Sequence, residues 1–302
     1  MHKTRYNVAQ LHLEIVPRGP LLVKAGGFSP NPTLPDMSFV RTYRPDVGET
    51  VYLPGSSVKG VVRGFVEKVL RTLGEVSGWR RACATFPNDE QSCAKRIETA
   101  EERETEAGKR KNWGSFVYRE ACGACRLFGH TRLRGRVAFS DFFPVGEVKT
   151  ETRHGVAISR LSHAVAQGPF EMEVAVAGAF QGRVVLENYE LWQLGLLGLA
   201  FRAMSEGLVR MGYGKNRGFG EVEVRVREAG VEELAPPSDG LRGLGAFVGE
   251  DARRGYGLSA PHMVEGLPEP VRVEPLVFSV RRWFDAEGWE VVARRTLEAL
   301  TG

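Results

Sequence analysis

The sequence contains no apolar run long enough to span a membrane, and few cysteines. Its richest apolar stretch, residues 191–203, is broken by a glutamine, two glycines and an arginine, and so falls short of the roughly 18 residues of a membrane span. The first ten residues are polar, which predicts no secretory signal. Four Cys in 302 residues exclude a disulfide-rich scaffold. We therefore expect a soluble, cytoplasmic protein with no membrane partner.

Neither sign of charge dominates the composition. Lys and Arg number 41 against 37 Asp and Glu, which gives a formal net charge of +4 and a pI near 8.9. This balance permits a polyanionic partner without requiring one. Hydrophobic residues make up 42% of the chain, which is enough to bury a sizeable core.

The order of apolar patterns predicts an α+β protein. Residues 7–16 alternate as a half-buried strand does, and residues 58–73 carry a helical apolar stripe that Ser56 or Ser57 can cap. Residues 170–176 alternate again, and we expect them to form a hairpin with 180–186. A helix over 189–206 and a strand over 222–226 complete the order strand, helix, strands, helix, strand. This order is that of a ferredoxin-like fold, here RRM-like, with long insertions.

The first candidate site is the start of the first helix. Pro54-Gly55 forms a turn, and Ser56 and Ser57 follow where free N–H groups and the helix dipole favour a phosphate. Lys59 and Arg63 lie one turn apart on one face, where they can hold further phosphates. An ordinary capped helix with two exposed cations explains the same residues equally well.

The second candidate site is the glycine-rich segment 211–220. Its glycines let a loop approach a ligand closely, and its cations supply positive charge. A flexible hairpin turn is the alternative. The candidate RNA-binding residues here are Gly212, Gly214, Lys215, Asn216, Arg217 and Gly218.

All four cysteines lie between residues 83 and 125. Cys122 and Cys125 form a Cys-x₂-Cys pair, and Cys83 and Cys93 lie upstream. Four thiolates suit a closed, tetrahedral structural zinc site, which would stabilise a segment with little apolar content. A redox pair or unrelated buried cysteines are the alternatives.

Together these motifs resemble the RAMP superfamily (repeat-associated mysterious proteins), which supplies backbone subunits of type III CRISPR effector complexes. The matching segments occur in the family's order. They are the Pro-Gly-Ser-Ser helix start, Leu127-Phe128-Gly129 before a strand that ends at Asp141, residues 155–160, and the glycine-rich loop.

The resemblance implies a domain plan. Residues 1–229 would form the RRM-like core, with a zinc-binding insertion at 75–126 and a protruding thumb hairpin at about 144–169. Residues 230–302 would form a C-terminal extension. The partners implied are a CRISPR RNA guide, a target RNA and other subunits of the complex, including copies or paralogues of this chain.

The resemblance also implies chemistry. Several family members cut target RNA with an Asp in the loop after the first strand and a divalent ion such as Mg²⁺. Asp36 occupies the matching position, with Asp46 a nearby rival, and Arg160 in the thumb would contact RNA. A carboxylate there can hold a hydrated ion or orient the attacking 2′-hydroxyl. The alternatives are a non-catalytic assembly or capping subunit, and a guide-processing endoribonuclease that uses His12.

Overall fold

The computed structural model describes residues 3–26, 35–74, 82–84, 86, 89–106, 113–236 and 240–300, and its side chains within 89–106 up to Arg103. Parts of the predicted insertion, residues 75–81 and 107–112, lie outside the described residues. The helices are α1 (Gly55–Thr72), α2 (Cys93–Glu106), α3 (Trp113–Glu120), α4 (Gly123–Phe128), α5 (Leu191–Ser205), α6 (Glu250–Tyr256) and α7 (Ala286–Glu298). The strands are β1 (Asn7–Pro17), β2 (Arg41–Arg44), β3 (Gly48–Val51), β4 (Gly129–His130), β5 (Leu133–Arg134), β6 (Val137–Phe139), β7 (Phe143–Pro144), β8 (Lys149–Ile158), β9 (Val165–Ala177), β10 (Phe180–Glu187), β11 (Val222–Glu233), β12 (Leu241–Arg242), β13 (Met263–Val264), β14 (Arg272–Pro275) and β15 (Val280–Phe284).

One antiparallel sheet organises the molecule, in the strand order β14-β15-β11-β1-β10-β6, with β7 also paired to β10. Helix α1 lies between β1 and β6 in the chain, and α5 lies between β10 and β11. The two crossovers and the central order β11-β1-β10-β6 are those of a ferredoxin-like fold. The predicted α+β class is therefore confirmed.

The central strand β1 follows its sequence pattern. Leu11, Leu13 and Ile15 are buried, whereas Gln10 and His12 on the other face are partly exposed. Leu11 pairs with Val184 of β10 on one side, and the pairing with β11 shifts by one residue between His12 and Leu13. The apolar face of this strand thus forms the floor of the core.

Helices α1 and α5 cover the apolar face of the sheet. The stripe predicted for α1 is buried at every fourth residue, and each fully buried side chain contributes about 1.5–3 kcal/mol. Helix α5 is buried on nearly all sides because α7 packs against it, and a side chain at Gly195 would collide with the backbone of Leu297. The buried residues of α1 include Val58, Val62, Val66 and Leu70.

A long hairpin, β8–β9, protrudes from the core at the place expected for the thumb. Its outer half is exposed, including the apolar side chains of Ile158 and Leu161. The predicted pairing of residues 170–176 with 180–186 is wrong, because β9 pairs with β8 and β10 joins the main sheet. Alternation marks both strands correctly but carries no information about which strand is the partner.

The C-terminal residues extend the same sheet. The predicted boundary at residue 229 falls inside β11, and β15 pairs with β11 from Ala229 to Glu233. Trp283 of β15 lies over Gly230, where a side chain would collide with the indole ring. No helix in the described part of the chain is both long and apolar enough to span a bilayer.

Candidate nucleic-acid interface and metal centre

The start of α1 already carries a carboxylate. The N–H of Gly55 donates to Asp141 Oδ1 at 2.8 Å, and Asp141 lies just beyond β6. Pro54 is the N-cap residue and makes no side-chain cap hydrogen bond, so the predicted cap by Ser56 or Ser57 is wrong, and the carboxylate of Asp141 takes that place. A Cβ at Gly55 would meet the carbonyl oxygen of Ser140, so only glycine fits where the helix meets this loop. The first orphan donor of the helix is therefore satisfied by an anion of the protein itself.

Helix α1 presents two polar stripes, one on each side of its buried face. One stripe, which we call the groove stripe, consists of Ser56, Gly60, Gly64 and Lys68, all of them exposed. A Cβ added at Gly60 or Gly64 would meet no atom within 4 Å. Glycine in an exposed helix interior costs about 1 kcal/mol relative to alanine. These two glycines thus leave the helix backbone open to close approach, and no packing contact with the described residues requires glycine there.

A groove runs beside this stripe, which we call the α1 groove. Its volume is ≈ 710 Å³, and its far wall comes from Leu208, Val209, Arg210 and Lys215. Three cations line it, and no acidic residue is among its described lining residues. Leu208 in the wall is 74% exposed. The groove therefore combines a basic rim with an uncovered apolar surface.

The glycine-rich loop forms a tight turn at the groove. Gly214 and Gly218 adopt left-handed conformations on either side of a 3-10 turn over Lys215–Arg217. The loop is fixed to the core where Tyr213 N donates to the carbonyl of Leu22 at 2.7 Å. A side chain at Gly212 would collide with that same carbonyl. The exposed residues of the turn are Lys215, Asn216, Arg217 and Gly218.

The loop contacts the root of the thumb. The guanidinium of Arg217 lies 5.7 Å from the ring centroid of Phe170 in β9. Phe170 in turn packs over Gly155 of β8, where a Cβ would lie 2.6 Å from the ring. Arg160 is exposed in the turn that joins β8 and β9, far along the hairpin from this contact. The thumb is therefore anchored at its base and free at its tip.

Asp36 lies at the base of the thumb. Its Oδ2 accepts a hydrogen bond of 3.0 Å from the backbone N–H of Glu171, and the side chain is exposed. Across the hairpin, Glu171 lies 3.9 Å from His154. The rival, Asp46, pairs with Arg44 at 2.6 Å in the turn between β2 and β3.

The second polar stripe of α1, which we call the metal stripe, consists of Lys59, Arg63, Glu67 and Arg71. Burial, and second the charge of Arg63, lower the pKa of Lys59. The Arg63 guanidinium donates to Glu67 at 2.8 Å, to the carbonyl of Gly129 at 3.1 Å and to Cys125 Sγ at 3.9 Å. Lys59 and Arg63 share a face as the spacing predicted, but Arg63 is engaged within the protein.

The four cysteines converge on one buried point. Their sulfur atoms all lie within 4.8 Å of one another, and within the described residues they form the one group of this kind. Cys83 Sγ and Cys125 Sγ are 3.7 Å apart. Four sulfurs at about 2.3 Å from a tetrahedral zinc are about 3.8 Å apart, whereas a disulfide needs about 2.05 Å. The donor set and its spacing therefore fit a tetrahedral metal ion.

The hydrogen bonds and pKa shifts of the four cysteines also fit a metal site. Cys122 N donates to Cys93 Sγ at 3.2 Å, and Cys125 N donates to Cys122 Sγ at 3.5 Å. Hydrogen bonding to the Cys122 and Cys125 thiols lowers the pKa of Cys83, while hydrogen bonding with Cys122 and Cys83 raises the pKa of Cys125. Four thiols this close cannot all ionise alone, and a cation among them removes that conflict.

Comparison with protein-family models identifies the family of the chain. The model of the RAMP superfamily matches residues 14–223, more than two thirds of the chain. The chain belongs to the RAMP superfamily. This superfamily is associated with CRISPR RNA-binding proteins. None of the curated proteins matches the chain.

The RAMP match runs from the middle of β1 into the start of β11, so it includes the α1 groove, the thumb, the cysteine cluster and the glycine-rich loop. Lys215 borders the groove whose other wall is α1, and Ser56 lies one turn before Gly60 on the same stripe. Arg160 and Asp36 belong instead to the thumb. The sequence candidates thus fall into three groups, at the α1 groove, at the thumb and at the cysteine cluster.

Sequence reasoning missed several residues of this candidate interface. Lys68, Arg210 and Leu208 line the groove, and none of them stood out in the sequence. Asp141 was noted as the end of a family motif but not as the partner of the α1 N-terminus. A search for exposed glycines at i, i+4 spacing in the helix pattern would have found Gly60 and Gly64.

Proposed function

We propose that this RAMP protein is a backbone subunit of a type III CRISPR effector complex. The guide RNA lies along the α1 groove and the glycine-rich loop, where Ser56, Ser57, Lys215 and Arg217 contact its phosphates. Lys59, on the neighbouring stripe one turn after Ser56, contacts a phosphate at the start of the helix. The thumb, with Arg160 at its tip, separates guide from target. The subunit works in the cytoplasm with further subunits, including copies or paralogues of itself.

The α1 groove is the observation that carries the proposal. It joins the groove stripe to Lys215 across a surface with three cations and no described acid. A single strand of RNA needs cations along its backbone and room for close approach, and Gly60 and Gly64 supply that room. Because the Gly55 N–H already holds Asp141, the phosphate contacts come from the next residues of α1 rather than from its first N–H.

Asp36 is proposed to cut the target RNA. In the reaction the 2′-oxygen gives its proton to a base and attacks the adjacent phosphorus, and the bond to the 5′-oxygen breaks. The 5′-oxygen takes up a proton from water, and a 2′,3′-cyclic phosphate remains. A bound Mg²⁺ or similar ion would stabilise charge on the phosphate oxygens. Mg²⁺ is commonly held by one or two carboxylates with substrate phosphates and water, so the exposed Asp36 and RNA together suffice. The hydrogen bond from Glu171 N fixes the Asp36 carboxylate at the thumb base.

The cysteine cluster is proposed to hold a structural zinc ion. All four sulfurs are buried, so no position is left for water, and a catalytic role does not fit. Its role is to fix α2, α4 and the segment around Cys83 against α1.

Substitution of Asp36 by Asn tests the catalytic part of the proposal. Asparagine keeps an oxygen that can accept from Glu171 N, so the thumb base stays in place, but the negative charge is lost. In the assembled complex we expect guide binding to be unchanged and target cleavage opposite this subunit to fall by at least two orders of magnitude. Asp46→Asn is the matched control and should cleave normally. Normal cleavage by Asp36→Asn would show that Asp36 is not the catalytic carboxylate, and a wild-type complex that cuts no target RNA opposite this subunit would leave an RNA-binding scaffold without nuclease activity.

The guide-processing alternative is less well supported. His12 lies on the central strand with Nε2 2.7 Å from Gln10 and Nδ1 3.6 Å from Glu228, and its ring packs edge-on against Trp283. Both nitrogens therefore have neighbours within the sheet. Cleavage of a CRISPR repeat RNA by the isolated protein in EDTA, lost in His12→Ala, would favour this alternative.

A further inference from the structure

Three residues of the metal stripe form a ladder along α1. Arg63, Glu67 and Arg71 follow one another at four-residue intervals, and the Glu67 carboxylate accepts from Arg63 at 2.8 Å and from Arg71 at 3.3 Å. Glu67 is only 8% exposed. A buried charge of this kind is held by its partners, so the ladder forms one unit.

Both arginines of the ladder reach the cysteine cluster, and they reach different chain segments. Arg63 donates to Cys125 Sγ at 3.9 Å and to the carbonyl of Gly129 at 3.1 Å. Arg71 donates to the carbonyl of Cys83 at 3.1 Å. Cys83 and Cys125 are 42 residues apart in the chain, yet their sulfurs lie 3.7 Å apart beside the ladder.

The charges are complementary. A divalent ion with four thiolates carries a net charge of −2, and burying it requires nearby positive charge or N–H donors. The ladder carries two guanidinium groups and one carboxylate, a net charge of +1. Its N–H groups already point at a sulfur atom and at the carbonyl oxygens beside the ligands.

We propose that the Arg63–Glu67–Arg71 ladder is the outer-sphere clamp of the metal centre, and that Arg63 serves the bound metal rather than RNA. The inference rests on the proposed metal site. Glu67 holds both guanidinium groups in position, Arg63 stabilises the Cys125 thiolate, and Arg71 fixes the backbone at Cys83. The ladder thereby joins the metal centre to α1, and the groove stripe of the same helix borders the α1 groove. Arg63 is a positioning residue in this arrangement.

The test compares metal affinity in the full-length protein, measured by competition with a chromogenic zinc chelator. Arg63→Met should lower zinc affinity about 10- to 100-fold, the usual effect of removing an outer-sphere partner. Arg63→Lys, which keeps the charge, should recover part of that loss, and Glu67→Gln should weaken binding because both arginines lose their anchor. Arg132→Met is the matched control, since Arg132 pairs with Glu98 and Glu101 and contacts no sulfur. It should bind zinc as the wild type does.

Two further readouts make the result decisive. With Co²⁺ in place of zinc, the visible absorption of a tetrahedral tetrathiolate site should shift or weaken in Arg63→Met and stay unchanged in Arg132→Met. Zinc-loaded Arg63→Met should bind guide RNA with nearly wild-type affinity. Wild-type zinc affinity in Arg63→Met together with lost RNA binding would overturn the proposal and assign Arg63 to RNA. A wild-type protein that binds no zinc would also overturn it, while leaving the proposed RNA function standing.

Discussion

The two polar stripes of α1 differ in how far the chain itself satisfies them. On the metal stripe, Arg63 makes three hydrogen bonds within the protein, and Arg71 reaches Glu67 and Cys83. On the groove stripe, Gly60, Gly64 and Lys68 are exposed beside an open, basic groove. Arg63 and Arg71 are engaged within the chain, whereas the groove stripe is exposed beside the groove. Cations only a few residues apart in sequence thus meet different surroundings according to the face of the helix they occupy.

Removal of the metal should give the largest effect on stability, and among the two stripes of α1 it concerns the metal stripe. Cys125→Ser, or chelation of the wild-type protein, removes a contribution that is about 10–16 kcal/mol in small zinc peptides, part of which this larger core replaces. We expect a lower Tm, loss of bound metal and easier proteolysis of the insertion. Thermal unfolding, metal analysis and limited proteolysis measure these changes. A chelated protein with wild-type Tm and protease resistance would show that the cysteines do not hold a structural metal.

Filling the floor of the groove should separate RNA binding from stability. Gly64→Leu places a side chain where a Cβ meets nothing within 4 Å, so the free protein should gain several tenths of a kcal/mol in helix stability. The same side chain occupies the space proposed for RNA, and guide affinity should fall more than tenfold, about 1.4 kcal/mol. Thermal unfolding and fluorescence anisotropy give the two values.

Gly74→Leu is not a suitable control for that experiment. Gly74 follows α1 with a positive φ of 63°, so a leucine there would strain the backbone. Gly249, which precedes α6 and also has no atom within 4 Å of an added Cβ, offers a better control. Gly249→Leu should bind RNA normally. A Gly64→Leu variant that is stable and binds guide as tightly as the wild type would show that the guide RNA does not lie in the α1 groove.

Neutralising the Asp141 carboxylate at the start of α1 should have a smaller effect on guide affinity than Gly64→Leu. It should raise the affinity rather than lower it. Asp141→Asn keeps an oxygen for the Gly55 N–H but removes a negative charge from the helix terminus, which should cost roughly 0.3–1 kcal/mol of stability. Because that charge would also repel a nearby phosphate, guide affinity should rise a few fold at low salt. Unchanged affinity across a salt series would mean that no phosphate approaches this helix start.

Removal of one loop cation should give the smallest effect. Lys215→Gln should weaken guide binding by about 1 kcal/mol and lower the slope of log K against log salt by about 0.7, the value for one phosphate contact on a single strand. Arg294→Gln on α7 removes an exposed cation that does not border the groove and should change neither value. Identical salt slopes for wild type and Lys215→Gln would assign Lys215 to another role.

The sequence predicted the helices and strands better than it predicted their tertiary contacts. The alternation of β1 and the apolar stripe of α1 identify these elements because each buries one face, and burial leaves a periodic trace. The partner of β9 could not be read in this way, since an alternating strand fits any neighbour of matching polarity.

The candidate site shows the same limit. The Cys-x₂-Cys spacing predicts a shared site because the two cysteines are close in sequence. The approach of Cys83 and Cys93 to them depends on the tertiary structure, which the sequence only suggested. The spacing of Lys59 and Arg63 gave a common face but not what that face meets. Asp141 contacts Gly55 across 86 residues, and no local pattern reports such a contact.

Ultraviolet crosslinking of a CRISPR RNA guide to the protein, with the crosslinked peptides identified by mass spectrometry, tests the central claim most directly. The account predicts crosslinks in the peptides that carry residues 56–68 and 208–217, and none in those that carry the cysteines. Crosslinks confined to the open face of the sheet, around His12, Arg183 and Arg227, would contradict it.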